Sequence, residues 1–165
     1  MTWISSAPRI NAITGSPVGQ DERNRTTRRP GIGSEAELKQ GVETAGSISY
    51  STGPSGTHLQ KLFERWGIAK EIAGRTVLAP PGVAVGSLVA DGRAELGFQQ
   101  LSEMIHLQGI DVLGPLPAAV QIVMVFSAAL AAQTVHADIA EKWLTFLGSP
   151  EADEVKRRNG MMPGS

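Results

Sequence analysis

Between residues 34 and 158 the sequence alternates short β-like runs with segments of helical period, and this alternation strongly limits the possible folds. Apolar residues recur with helical spacing at residues 34–44, 55–66, 83–90, 138–148 and 150–158. Strand-like runs occupy residues 47–51, 76–79, 94–98 and 110–113. Such alternation is typical of an α/β domain with a mostly parallel sheet flanked by helices. We therefore predict that fold class, with the last two helices forming a C-terminal pair.

Two helix ends and one ambiguous segment complete this prediction. Ser34 followed by Glu37 has the spacing of a reciprocal helix N-cap, and Gly67 stands where a left-handed residue would end the second helix. Residues 120–132 are β-branched in their front half and rich in alanine in their back half. We predict that this segment is a strand that runs into the start of a helix.

Residues 1–30 differ from the rest of the chain in composition. They carry a charge of +3, the remainder carries −4, and the stretch is rich in Gly, Pro, Ser, Thr and Asn without a sustained apolar period. These features predict an unstructured arm. The arm lacks the continuous apolar segment of a secretory signal. Without such a signal, the chain is expected to stay in the cytoplasm if its start is correct. We expect no membrane span in the alanine-rich and proline-interrupted apolar segment at residues 115–133.

Composition excludes several functional classes. The chain has no cysteine, so disulfides and thiolate metal sites are impossible. Its net charge of −1 argues against a nucleic-acid partner. His58, His106 and His136 lie far apart without metal-ligand spacing, and we predict neither a metal nor another cofactor.

Two glycine-containing loops, residues 51–57 and 80–86, lead from a predicted strand into a predicted helix. In parallel α/β sheets such loops form the ligand-binding edge. Backbone N–H groups at a helix start favour an anion, and Ser51 and Ser55 add neutral hydroxyl donors. An ordinary N-cap and turn explains the first loop equally well. Neither a Walker lysine nor a dinucleotide fingerprint is present.

A catalytic alternative uses some of the same residues. Ser51 or Ser55, His58 or His106, and Glu103 could in principle form a hydrolytic triad, or the first loop could serve a small enzyme as an oxyanion hole. No Gly-x-Ser-x-Gly elbow marks a nucleophile, so we predict that the chain is not an enzyme. Gln99 and Gln100 end a buried strand, and since neighbouring strand residues face opposite sides, at most one is expected to bind a ligand.

Several short motifs resemble, in order, the second half of extracellular solute-binding proteins of the molybdate-binding type. They are SISYS at 47–51, GPSG at 53–56, LFERWGI at 62–68, DGRAELGFQQLSE at 91–103, GPLP at 114–117 and FSA at 126–128. The resemblance implies a periplasmic-binding-protein type II lobe that binds a small oxyanion such as molybdate. It also implies a permease partner of the ABC type and a periplasmic location.

The same resemblance implies the site residues and the domain limits. Residues 83–85 lie where the family supplies backbone donors, and Gln100 stands where molybdate receptors carry a tyrosine that contacts the ligand. The ligand-binding residues are expected to be Ser51, Ser55, Gly56, Val83, Ala84 and Gln100. Residues 31–118 resemble the second lobe, and residues 119–165 resemble the return segment to a first lobe.

The resemblance leaves the first lobe without a counterpart in this sequence. We therefore expect a truncated receptor or a homodimer that covers the exposed first-lobe surface. LysR-type regulators share the two-lobed architecture, so an effector-binding regulatory domain is the alternative, although residues 1–29 are too short and too polar for a helix-turn-helix.

Overall fold

A computed structural model describes residues 4–6, 9–15 and 29–163 of the chain. The helices are α1 (Glu35–Thr44), α2 (Pro54–Arg65), α3 (Ala69–Ile72), α4 (Val85–Ala90), α5 (Ala137–Leu147) and α6 (Pro150–Arg158). The strands are β1 (Ile4–Ser6), β2 (Ile10–Gly15), β3 (Ile48–Ser51), β4 (Thr76–Ala79), β5 (Leu96–Gln100), β6 (Ile110–Pro115) and β7 (Phe126–Ala128). Within these residues, no helix is both long and apolar enough to cross a membrane.

Five strands form one sheet in the order β4-β3-β5-β2-β6. β3 is parallel to both β4 and β5, whereas β2 is antiparallel to both β5 and β6. Four of the five strands therefore run in one direction, and the prediction of a mostly parallel α/β sheet is confirmed. Because β3, β4 and β5 are parallel, their carboxyl ends meet at one edge of the sheet.

The helices cover both faces of this sheet. On one face Phe63 of α2 packs in a cluster with residues of α1, β3 and β5, and its ring contacts Tyr50, Trp66 and Phe98 at centroid distances of 5.7, 5.9 and 6.2 Å. On the other face α4 buries Leu88 and Val89. Gly97 of β5 lies beneath α4, where an added Cβ would meet Val89 at 2.7 Å.

The predicted start of the first helix and the predicted end of the second helix are confirmed. The Glu37 N–H donates to the Ser34 hydroxyl at 3.2 Å, which caps α1. The reciprocal contact is shifted by one residue, because the Glu37 carboxylate accepts from the N–H of Gly33 at 2.9 Å. Gly67 follows α2 with a φ of +76°, a left-handed conformation that glycine adopts without steric cost.

The prediction of an unstructured arm is wrong for the part of it that the structure describes. β2 is an inner strand of the sheet, and Ile10, Ala12 and Ile13 are fully buried. It lacks a visible period because it is short and buries apolar side chains on both faces, Ile10 in one cluster and Ile13 in the other. β1 also forms a strand, paired with β7. Residues 16–28 lie outside the described part.

The prediction of a helical start within residues 120–132 is also wrong. The chain makes a short 3-10 turn at Ala118–Val120, then runs extended into β7, and α5 begins only at Ala137. The first residue of β2 holds this segment in place. The Ile10 N–H donates to the Gln121 Oε1 at 3.1 Å and to the Ile122 carbonyl at 3.3 Å. These contacts to β2 take the place of helix hydrogen bonds.

The predicted C-terminal helices are confirmed as α5 and α6, but they bury little. Leu144 and Ala152 are buried, whereas Ile139, Trp143 and Phe146 are exposed by 68%, 58% and 46%. Trp143 and Phe146 stack on each other at 5.6 Å. We call residues 9–15 and 29–124 the sheet lobe and residues 125–163 the C-terminal segment; the domain limits inferred from the resemblance stay predictions.

Candidate functional site

A cavity of about 630 Å³ opens at the carboxyl ends of β3, β4 and β5. The two loops singled out in the sequence form opposite parts of its wall. The lining residues are Ser51, Thr52, Gly53, Pro54, Ser55, Ala79, Pro80, Pro81, Gly82, Val83, Ala84, Gln99, Gln100 and Glu103. Five of the six predicted ligand-binding residues therefore share one cavity, and only Gly56 lies outside the wall.

The first turn of α2 brings backbone donors to this cavity. Gly53 is the N-cap residue and makes no side-chain cap, and Pro54 occupies the first helical position. The N–H groups of Ser55 and Gly56 have no acceptor within the described part of the chain. The positive end of a twelve-residue helix therefore faces the cavity with unpaired donors.

Gly56 allows this close approach rather than lining the wall. A Cβ at this position would lie 1.6 Å from the Ser51 carbonyl oxygen and 2.7 Å from the Ser51 carbonyl carbon. No rotamer change relieves an overlap with backbone atoms. Only glycine therefore lets the start of α2 rest against the end of β3.

Two serine hydroxyls lie beside these backbone donors. The Ser51 and Ser55 oxygens are 3.4 Å apart, a distance at which either hydroxyl can donate to the other. Ser55 is 9% exposed and Ser51 is half-buried. A ligand oxygen that accepts from both hydroxyls would replace a long hydrogen bond with two shorter ones.

The second loop contributes fewer backbone donors than the resemblance implies. The Val83 N–H donates to the Pro80 carbonyl at 3.0 Å, within a turn in which Gly82 has a φ of +81°. The Gly86 N–H donates to the Gln99 Oε1 at 3.1 Å. Val83 lines the cavity, but its N–H is already paired, so the N–H groups of this loop without an acceptor among the described contacts are those of Gly82, Ala84 and Val85.

Gln99 and Gln100 both line the cavity, although they are adjacent on β5. Gln99 is a structural link, because its Oε1 accepts from Gly86 and its Nε2 donates to the Glu103 carboxylate. Gln100 is 8% exposed, and its buried Oε1 has no hydrogen-bond partner. The unpaired amide of Gln100 is therefore the side chain of the pair that remains available to a ligand.

Among the described residues that line the cavity, Glu103 is the single ionisable side chain, and lysine, arginine and histidine are absent. From the sequence, Glu103 was considered as a member of a possible hydrolytic triad. The available signal for its place in the wall was its spacing of four residues from Gln99. The 3-10 turn Leu101–Glu103 follows β5 and brings the Glu103 carboxylate back to the Gln99 amide.

The proposed catalytic triad is not assembled. His106 is hydrogen-bonded through Nε2 to the Asn159 side chain at 3.1 Å, and His58 is exposed on α2; neither lines the cavity. His136 precedes α5, in the C-terminal segment. Within residues 4–6, 9–15 and 29–163, no group of three or more histidine or acidic residues could hold a metal ion.

The sheet order and a cavity at the carboxyl ends of its parallel strands are those of a lobe of a solute-binding protein. The sequence model described as "Bacterial extracellular solute-binding protein" matches residues 20–162. The chain belongs to this family of binding proteins.

One curated relative matches most of this chain and carries the name of an enzyme. An aconitate isomerase from Pseudomonas sp. is 35% identical over 136 residues, which is 82% of this chain and 52% of that protein. The chain thus spans about half the length of this curated relative.

Two solved structures share the fold. The substrate-binding domain of a molybdenum ABC transporter from Clostridium difficile superposes with a TM-score of 0.68 at 14% identity, over 96% of this chain and 65% of that chain. The periplasmic molybdate-binding protein of Azotobacter vinelandii superposes with a TM-score of 0.65 at 18% identity, over 98% of this chain and 67% of that chain. Both are periplasmic-binding-protein type II-like structures, as the sequence motifs implied.

Proposed function

We propose that this chain provides one wall of the binding site of a solute-binding protein that serves an ABC importer, and that its ligand is a small anion such as molybdate or a similar oxyanion. The observation that carries the proposal is the meeting of two sets of neutral donors in one cavity, the free N–H groups at the start of α2 and the Ser51 and Ser55 hydroxyls. The Gln100 side chain lines the same cavity, and its NH₂ group can add a further donor.

Neutral donors are sufficient for anion binding of this kind. A hydrogen bond to a charged group contributes about 1.5–3 kcal/mol, and a helix N-terminus adds about 0.3–1 kcal/mol for an anion at its end. The donors are fixed by β3, β5 and the first turn of α2, so little conformational entropy is lost on binding.

Titration of the chain with molybdate, tungstate and sulfate, followed by ¹H–¹⁵N NMR, tests the proposal. We expect saturable shifts of the Ser55 and Gly56 amides and of the Gln100 side-chain NH₂ group. Ser55→Ala should weaken binding about tenfold, the loss of one charged hydrogen bond. Ser87→Ala removes a hydroxyl outside the cavity wall and should leave affinity unchanged. Shifts spread over the surface, with none at these three groups, would contradict the anion site.

A second candidate function is isomerisation of a small unsaturated acid. It is favoured by the 35% identity to an aconitate isomerase, whose name points to a tricarboxylate. An isomerase that shifts a double bond needs a group that takes up and returns a proton, and Glu103 is the ionisable side chain available in the wall.

Incubation with either isomer of aconitate, followed by chromatography, tests this candidate. Glu103→Gln should abolish turnover while the Ser55 amide still responds to the substrate. Turnover that persists in Glu103→Gln would exclude this residue as the proton carrier, and an absence of turnover in the unaltered chain would favour simple binding.

The permease partner and the periplasmic location belong to the same proposal. Support comes from the family and from the fold shared with the two molybdenum-related proteins. Fractionation of cells that express the whole gene checks the location, and co-purification with an ABC permease checks the partner. Recovery of the protein in the cytoplasm would argue against the importer role.

We also propose a homodimer in which a second copy covers the C-terminal segment. An apolar cavity of about 400 Å³ opens there between β7, α5 and α6, lined by Phe126, Trp143 and Phe146 among others. The same surface on both subunits can self-associate about a two-fold axis. Light scattering coupled to size exclusion should give twice the mass of 17.4 kDa, and Trp143→Glu should return the mass to that of one chain.

A further inference from the structure

The charge of the cavity wall favours an anion that carries its own hydrogen-bond donor over a fully deprotonated inorganic oxyanion. The described wall offers neutral donors on the side of α2 and a carboxylate, Glu103, on the side of β5, and none of the described lining residues is cationic. A sulfate or molybdate dianion can only accept hydrogen bonds, so it would gain from the first side and be repelled from the second.

Glu103 is exposed, but one of its carboxylate oxygens is hydrogen-bonded to the cavity wall. Its Oε2 accepts from Gln99 Nε2, and the Oε1 of Gln99 accepts from the N–H of Gly86 at 3.1 Å. Glu103 Oε1 has no hydrogen-bond donor within the described part of the chain. This braced carboxylate therefore leaves one oxygen ready to accept a hydrogen bond from a ligand.

Gln100 provides an independent sign that a ligand completes this wall. The side chain is more than nine-tenths buried, it lines the cavity, and its buried Oε1 has no partner. Buried polar groups without partners are rare in native proteins and usually mark a site that a ligand or water fills. Gln100 adjoins Gln99, so the unpaired amide and the braced carboxylate belong to the same end of β5.

We infer that the ligand is a small organic acid whose carboxylate is bound at the start of α2 and whose hydrogen-bond donor, a hydroxyl or an ammonium group, is bound by Glu103. This inference rests on the proposed anion site and narrows its ligand class. Glu103 is then the specificity-determining residue. It attracts a donor, and it disfavours dianions without one.

The test compares three four-carbon dicarboxylates and one inorganic dianion. Malate carries a hydroxyl, aspartate carries an ammonium group, and succinate has the same skeleton with neither. Each of them, and sulfate, is titrated at low ionic strength into the ¹⁵N-labelled chain, with the Ser55 and Gly56 amides as reporters. We expect malate or aspartate to bind at least about tenfold more tightly than succinate, and the better of the two identifies the donor.

Glu103→Gln should reduce this preference to within about twofold and tighten sulfate binding several-fold. The repulsion that it removes should also weaken with added salt in the unaltered chain. The variant keeps an oxygen that can accept from Gln99, so the wall stays braced. Glu64→Gln is the control, because it removes the same charge from α2 outside the cavity wall and should preserve the preference.

The outcomes separate the inference from the proposal on which it rests. Equal binding of malate, aspartate and succinate, or a preference that survives in Glu103→Gln, overturns the role of Glu103 but leaves the anion site intact. If none of the dicarboxylates, sulfate or molybdate shifts the Ser55 and Gly56 amides, the anion site itself is wrong, and the inference is rejected with it.

Discussion

The sheet lobe and the C-terminal segment differ in how completely they bury their apolar side chains. In the sheet lobe, both faces of the sheet are covered and residues such as Phe63, Phe98 and Leu88 are almost fully buried. In the C-terminal segment, two amphipathic helices leave Ile139, Trp143 and Phe146 in solvent. A helix pattern in the sequence therefore predicts an apolar stripe in both regions, but only the sheet lobe contains the surface against which that stripe packs.

The largest expected effect is that of Gly56→Ala, which tests how tightly the sheet lobe is packed. The new Cβ would overlap the Ser51 carbonyl oxygen, so the start of α2 must move off β3. We expect a loss of more than about 4 kcal/mol in the free energy of unfolding, measured by urea denaturation.

Gly74→Ala is the matched control for this change. Nothing lies within 4 Å of a Cβ at that position. The control should change stability by less than about 1 kcal/mol, in either direction. Equal effects of the two alanines would show that the contact between α2 and β3 is looser than described.

Phe63→Ala and Trp143→Ala compare the two regions directly. Removal of the buried Phe63 ring should cost about 3–5 kcal/mol. Trp143 is 58% exposed and contacts chiefly Phe146, so its truncation should cost less than about 1 kcal/mol in the monomer. Chemical denaturation at low protein concentration measures both. A large loss for Trp143→Ala under these conditions would mean that the C-terminal segment has a packed core of its own.

Two serines at helix starts sharpen the comparison at a smaller scale. Ser34 accepts from the Glu37 N–H, whereas the hydroxyl of Ser149, the N-cap residue of α6, donates to the Phe146 carbonyl instead. Ser34→Ala should therefore lower stability by about 1 kcal/mol. Ser149→Ala should lower stability by only a few tenths of 1 kcal/mol. Each variant loses one oxygen relative to the unaltered chain, so the change in side-chain volume is the same in both and their melting curves can be compared directly.

The smallest expected effect is a pH dependence that arises from Glu35. Hydrogen bonds from the Trp66 indole and the neighbouring Arg65 lower the pKa of this exposed carboxyl. A lowered pKa in the folded state stabilises the sheet lobe above the ordinary pKa of about 4.3, and this contribution is lost as the pH falls below it.

Trp66 fluorescence followed during acid titration should detect that loss. Glu35→Gln should be less sensitive to acid than the unaltered chain between about pH 5 and pH 3. Identical acid transitions in both proteins would show that the Trp66 and Arg65 contacts to Glu35 contribute nothing measurable.

Local signals in the sequence were sufficient for much of the fold and part of the site. The pair Ser34 and Glu37 predicts the start of α1, and Gly67 predicts the end of α2, because both effects act within one helical turn. Ser51 and Ser55 were placed at the cavity because strand ends that lead into helices meet at one edge of a parallel sheet. Gln100 was singled out from its neighbour Gln99 only by the family resemblance.

The features that were missed depend on contacts between distant parts of the chain. β2 has no period because both of its faces are buried, and its partners lie some 85–100 residues away. The extended path after Val120 depends on hydrogen bonds to Ile10. The loss of the Val83 amide to the Pro80 carbonyl depends on the turn geometry around Gly82, which the composition of the loop does not reveal.

The inner position of β2 also affects how the chain folds during synthesis. β2 precedes the other four strands of the sheet in the sequence, yet both strands that flank it, β5 and β6, are synthesised some 82–104 residues later. Until then an apolar segment and two unpaired strand edges are open to other chains. Contacts of such long sequence separation slow folding. The nascent protein should therefore depend on chaperones until residue 115 is free, and co-expression of chaperones should raise its soluble yield more than slower synthesis at low temperature does.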